Sequence, residues 1–175
     1  MSPKFFIFSL MSFHVIAGCI GGNEMCKVAS GRRRACHSPP WIQWGGKCYQ
    51  AVMEELTWFE AKDECVQMGG VLVVPQSDEE TGFLLLLTQS DFWVNCNDLR
   101  KEGTWVCLDG VDEVEYRNWE VRNYLQPDNY GGNENCAEVY SVFGTWNDLP
   151  CEMKLLAICS HATSIHHGCT SAPDK

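Results

Sequence analysis

Two stretches of the chain carry helix-period apolar patterning, and each opens on a capping signal. In Thr57-Trp58-Phe59-Glu60 the Thr57 hydroxyl can accept an early helix amide while Glu60 reaches back to the cap. Trp58, Ala61, Cys65 and Met68 then recur at intervals of three and four, which predicts a helix with one buried face, ended by Gly69-Gly70. Met53, Met68 and the aromatic residues between them are expected in the core. Val71 to Val74 is an unbroken apolar run of strand length. Ser77-Asp78-Glu79-Glu80 repeats the capping signal, and the apolar run Phe83 to Leu87 predicts a second, well-buried helix.

Beyond residue 90 the texture changes to short apolar runs divided by turns. Glu102-Gly103-Thr104-Trp105 reads as a turn entering a strand, and Asp109-Gly110 as a tight turn. Cys96 and Cys107 flank a stretch of about ten residues, a local bridge worth roughly 2–3 kcal/mol on the chain-entropy estimate. Trp105, Trp119 and Trp146 are expected to pack beneath the loops.

Composition narrows the setting. The 175 residues, 45% hydrophobic and 21% charged, suit one compact domain with terminal extensions. A net charge of −10 argues against nucleic acid, whose phosphates need clustered Lys and Arg. Eleven cysteines point to an oxidising compartment. Residues 1–19 have the form of a secretion signal: Lys4, an apolar stretch from Phe5 to Ile16, then small residues at Ala17-Gly18-Cys19. That stretch falls short of the ~20 apolar residues a spanning helix needs, so the expectation is a secreted, extracellular protein. Removing Cys19 with the signal leaves ten cysteines, which can pair completely. Residues 20–35 read as a mobile lead-in in which Arg32-Arg33-Arg34 are solvated rather than a processing or polyanion site, and 161–175 as a C-terminal tail.

The densest chemistry lies between Gln126 and Asp148. Gln126, Asp128, Glu134, Asn147 and Asp148 all carry side-chain oxygens. Calcium takes about 6–8 oxygens, and with three carboxylates a bound Ca2+ would leave the pocket at about −1. With no Cys or His among these five, zinc and copper are poor fits. Asn, Asp, Gly and Pro also form ordinary surface turns, so composition by itself does not choose between a metal site and a polar loop.

Three separated pieces break the tie. Gln126-Pro127-Asp128, an acid at Glu134, and Trp146-Asn147-Asp148 shortly before Cys151 resemble the calcium-dependent sugar site of C-type lectins. The resemblance runs from Cys36 to Cys159, with a departure at Asn95 and Cys96, where the family carries Gly-Leu. It implies an α+β lectin-like fold: two helices, antiparallel sheets and a long calcium-binding loop region, stapled by disulfides, over residues 36–160. It implies the bridges Cys36–Cys48, Cys65–Cys159 and Cys136–Cys151, the second closing a loop worth up to about 4.7 kcal/mol. Cys26 and Cys169 remain, to pair with each other or to link two chains. The same resemblance makes Gln126, Asp128, Glu134, Asn147 and Asp148 the calcium ligands and sugar contacts, with a cis peptide before Pro127. Gln-Pro-Asp is the galactose-type arrangement, and Tyr130 stands where a stacking aromatic is expected. A second, weaker calcium would fall on Asp98, Glu102, Asn129 and Asn135, where Asn129 and Asn135 replace acids of the fuller pattern; Asp98 and Glu102 read equally well as solvated turn residues.

Partners implied are galactose- or N-acetylgalactosamine-terminated glycans, with linked copies supplying avidity. The rival keeps the fold and changes the ligand to a protein, ice or mineral, because fold does not fix function. Catalysis is disfavoured: His161, His166 and His167 lack metalloprotease spacing, and no nucleophile elbow or phosphate loop occurs.

Overall fold

The computed structural model describes residues 27–28, 33–36, 40–166 and 169–170. Residues 1–19, expected to be a secretion signal, and Cys26, whose expected partner is Cys169 or a second chain, lie outside the described residues. In chain order the elements are β1 (Lys27–Val28), β2 (Arg33–Ala35), β3 (Ile42–Trp44), β4 (Lys47–Leu56), α1 (Trp58–Gln67), β5 (Val71–Leu72), α2 (Asp78–Thr88), β6 (Phe92–Asn97), β7 (Val106–Asp109) and β8 (Asp112–Glu113). A single 3-10 turn, Tyr130–Gly132, precedes β9 (Cys136–Tyr140), β10 (Thr145–Leu149), β11 (Leu155–Ala162), β12 (Ser164–His166) and β13 (Cys169–Thr170).

Both helices begin as their sequences dictate. Thr57 Oγ1 accepts from the Glu60 amide while the Glu60 carboxylate accepts from the Thr57 amide, closing the capping box. The Ser77 hydroxyl accepts from the Glu80 amide. Gly69 ends α1 at φ +82°, and its neighbour Gly70 donates back to the Cys65 carbonyl.

Two expectations about burial need correction. Met53 points outward from β4 and is mostly exposed, and Phe59 is half exposed on α1. Strands alternate faces, and a helix buries one stripe only, so neither position reaches the core. For the same reason α2 is not wholly buried: Leu84 is sealed, whereas Leu86, two residues on, faces solvent. Short strand pairs also occur towards the two chain ends. Arg33–Ala35 pairs antiparallel with Ser164–His166, and in a separate compact unit Lys27–Val28 pairs with Cys169–Thr170.

The main sheet runs β10-β9-β6-β11-β4-β3. β11 pairs antiparallel with β4 along most of its length, so the end of the domain closes onto its beginning. Cys65–Cys159 ties α1 to this closing strand, Cys36–Cys48 ties the lead-in to β4, Cys96–Cys107 bridges the paired strands β6 and β7, and Cys136–Cys151 joins the start of β9 to the turn after β10. Tyr49, Val73, Val74, Leu84, Phe92, Val94, Val139, Trp146 and Ile158 form one core cluster. Trp146 packs edge-on against Trp119 and Tyr116, and Trp105 against Trp119, which makes an aromatic floor under the long loop.

A partly buried polar knot ties β4 to α2 and to β7. Tyr49 Oη donates to Glu80 Oε1 at 2.5 Å, the Gln76 amide donates to Glu80 Oε2, and Lys47 pairs with Asp109 at 2.6 Å. Burial and the Glu80 charge push the Tyr49 hydroxyl far up, so it stays a donor at any physiological pH. Tyr49→Phe removes one donor to an almost fully buried carboxylate. It is expected to destabilise the fold by about 1–3 kcal/mol, read as a lower urea midpoint at unchanged slope.

Candidate functional site

The site is assembled by the hairpin β9–β10 and the long loop that precedes it. Asn147 and Asp148 sit at successive positions of β10, the first half-buried and the second sealed. Asp148 is 1% exposed, and its two oxygens hold the loop in place: Oδ1 accepts from the Asp128 amide at 3.1 Å and Oδ2 from the Asn129 amide at 2.9 Å. The Tyr130 amide in turn donates to Glu134 Oε2 at 2.7 Å and to Asp128 Oδ1 at 3.2 Å. Asn129 adopts the left-handed conformation at φ +46°, which Asn tolerates, and its Oδ1 accepts from the Glu134 amide. The Gln126–Pro127 peptide is cis.

The outcome is convergence. One carboxylate oxygen each from Asp128, Glu134 and Asp148 lies within 4.8 Å of the others. Like charges this close work against ionisation. Burial, followed by the charges of Asp148 and Asp128, raises Glu134 above the usual carboxylate range despite the Tyr130 amide. Burial also raises Asp148, with Asp128 adding to it and the two accepted amides opposing it.

The neighbouring amides complete an oxygen set. Asn147 spends its Nδ2 on Glu138 Oε1 at 3.0 Å, which leaves its Oδ1 outside that bond. Gln126 Oε1 is buried and has no hydrogen-bond partner. Three crowded carboxylates, together with an orphaned amide oxygen two residues before Asp128 in the chain, offer a hard cation an all-oxygen donor set with no sulfur or imidazole in it. These residues fit calcium.

Asp98, Glu102, Asn129 and Asn135 do not build a comparable group. Asp98 is buried, its Oδ2 accepts from the Gly103 amide and its Oδ1 has no partner. The Asp98 amide donates to the Asn135 carbonyl, which makes those two neighbours. Glu102, however, is exposed, and Asn129 Oδ1 is engaged by the Glu134 amide. Among the described residues, neither Asp98 nor Glu102 joins a cluster of three acidic, Cys or His ligands.

Four residues beside the site escaped the sequence reading: Glu120, Tyr124, Glu138 and Tyr140. With Gln126 and Asn147 they line a cleft of about 230 Å³. Glu138 is 4% exposed, and burial together with the charges of Asp91 and Glu134 pushes it up to about 7 against the Asn147 hydrogen bond. An acid inside the otherwise apolar run Cys136-Ala137-Glu138-Val139 was the available signal. Glu120 accepts from the Thr145 hydroxyl and from the Asn123 and Arg122 amides, which hold it below the ordinary range.

The described chain contains no helix long and apolar enough to cross a membrane. Its fold and sequence define a lectin domain. The chain belongs to the C-type lectin family, the "Lectin C-type domain" matching residues 54–161. It is 35% identical to asialoglycoprotein receptor 2 of Mus musculus over 139 residues, 75% of this chain and 44% of that one. It is 28% identical to the lactose-binding lectin l-2 of Anguilla japonica, over 68% of this chain and 74% of that one. The chain spans about half the length of the curated relatives it matches.

Solved structures agree on the fold. The carbohydrate-recognition domain of mouse scavenger receptor C-type lectin superposes with a TM-score of 0.65 at 30% identity, covering 74% of this chain and all of that one. A calcium-independent type II antifreeze protein superposes with a TM-score of 0.66 at 26% identity, covering 75% and 98%.

Proposed function

We propose that residues 36–160 form a secreted, non-enzymatic, calcium-dependent lectin domain that prefers terminal galactose or N-acetylgalactosamine. The observation that carries the reading is the convergence of the Asp128, Glu134 and Asp148 carboxylates within 4.8 Å, and the unpartnered oxygen of Gln126 supports it. Gln126, Asp128, Glu134, Asn147 and Asp148 would hold one calcium ion. When bound, the ion supplies a hard positive centre that takes sugar hydroxyls as further oxygen ligands. The chain's own groups meet the same hydroxyls. Carboxylates of Asp128 and Glu134 accept from them, while the amide NH2 of Gln126 donates. The Gln126/Asp128 order is what the family resemblance connects with galactose, and the name of the eel relative, a lactose-binding lectin, points the same way. Asp98, Glu102, Asn129 and Asn135 would make at most a weak second site, since two amides stand for carboxylates and Glu102 lies open to solvent.

The specificity test is retention of the folded protein on immobilised galactose and immobilised mannose, with calcium and then with a chelator. Calcium-dependent retention on galactose alone is the expected result. Retention on mannose would show that the amide–acid order does not set preference. Failure on both columns would favour a non-sugar ligand, the possibility raised by the antifreeze neighbour.

Tyr130 is 80% exposed on the 3-10 turn beside Asp128, and its ring packs against no other aromatic side chain among the described residues. A ring so placed can stack on the C–H face of galactose. Tyr130→Ala is expected to weaken galactose binding roughly three- to tenfold, in keeping with about 0.5–1.5 kcal/mol for an aromatic contact, without lowering the melting temperature. Unchanged galactose affinity in a titration would remove Tyr130 from the site.

A further inference from the structure

The cleft beside the carboxylate cluster has the makings of a second sugar site. Its ≈ 230 Å³ lies below the roughly 300 Å³ at which sites for drug-sized ligands begin, so it suits one ring and no long chain. Gln126 and Asn147 belong both to its lining and to the proposed calcium shell, so the cleft borders the place where a terminal galactose would sit.

Its walls are mixed in the way a sugar requires. Tyr124 stands on the long loop, 64% exposed. Tyr140 lines the same cleft from β9, its ring edge-on to Phe143 at 5.3 Å. Tyrosine offers an apolar face to C–H groups and a hydroxyl that both donates and accepts. Between them the lining is acidic. Glu138 gives one oxygen to Asn147 while its second is buried without a partner, and Glu120 is fixed by three donors. No Lys, Arg or His lines the cleft. A carboxylate or sulfate brought here would meet two acidic side chains and no basic one to pair with.

We propose that this cleft is a second saccharide subsite, taking a neutral or amino-bearing sugar unit next to the terminal galactose and rejecting anionic units. The inference rests on the calcium–galactose reading, and its test separates the two. Titration calorimetry would compare methyl galactoside, neutral galactose-terminated disaccharides of α and β linkage, and a galactosyl–uronic acid disaccharide, on the wild-type protein and on Tyr124→Ala.

At least one neutral disaccharide is expected to bind about fivefold or more tighter than methyl galactoside, with no such gain for the uronic acid compound. In Tyr124→Ala the ratio of disaccharide to monosaccharide affinity should fall close to one. Tyr124 is a half-open loop residue, so its loss does not threaten folding, and a melting curve would verify that. Equal affinities in the wild type, a ratio that survives Tyr124→Ala, or an equal gain for the uronic acid compound would overturn the subsite. Methyl galactoside that binds while the ratio stays at one removes only the subsite; absence of binding by every sugar removes the galactose reading and the subsite with it.

Discussion

Asp148→Asn is expected to weaken calcium binding by about 100-fold or more and to abolish retention on galactose. Asp148 supports the site twice over. It contributes one of three converging carboxylates, and its two oxygens hold the Asp128 and Asn129 amides that carry the loop. Asparagine keeps a single acceptor oxygen, and its NH2 then faces a backbone N–H, donor against donor. Charge is lost and loop position with it. The readout is thermal: calcium should raise the melting temperature of the wild type, because a ligand bound only by the folded state stabilises it, and should leave the variant's unchanged. An equal calcium-induced shift in both proteins would show that Asp148 does not hold the ion.

Acid is expected to move the calcium-free and calcium-loaded proteins in opposite directions. Without the ion, Glu134 and Asp148 sit above the ordinary carboxylate range and Glu138 is pushed up to about 7, each chiefly by burial. A carboxyl raised in the folded state binds its proton more tightly there than in the unfolded chain. Its contribution is therefore present below the unfolded value and is lost as pH rises through the folded one. The melting temperature in chelator should accordingly climb as pH falls from about 7.5 towards about 5. With calcium the sign reverses, because protonation removes the ligand charge that the ion needs. The two melting curves should converge near about pH 5, and galactose retention should be lost over the same interval. Parallel curves, or full retention down to about pH 4.5, would count against a calcium site built on these carboxylates.

Helix starts were legible because their determinants are local. Thr57 with Glu60, and Ser77 with Glu80, satisfy amides within one turn of themselves. The buried face of α1 followed from Trp58, Ala61 and Cys65 at helical spacing. What such spacing could not reveal was which side of an evenly apolar element meets a neighbour. Phe83 to Leu87 wraps round α2, and only packing against the sheet decided that Leu84 is sealed and Leu86 open. Met53 fails for the same reason, since strand alternation sets that there are two faces but not which of them is covered.

The short strand pairs at the two ends were invisible for another reason. Arg33–Ala35 and Ser164–His166 are joined by backbone hydrogen bonds across a sequence separation of more than 100 residues, and side-chain patterning carries no trace of that.

At the site, the sequence by itself determined the chemistry on offer: oxygen-rich side chains at Gln126, Asp128, Glu134, Asn147 and Asp148, with no soft ligand among them. Only the tertiary structure decided that three of the carboxylates meet within 4.8 Å, that Gln126 Oε1 is left without a partner, and that Glu138 and Tyr140 join a loop tyrosine in one cleft. The physical reason is range. Caps and turns are settled between residues a few positions apart, whereas this convergence depends on β10 pairing with β9, on Asp148 catching the amides of a loop twenty residues upstream, and on the low-dielectric surroundings that raise the same carboxylates.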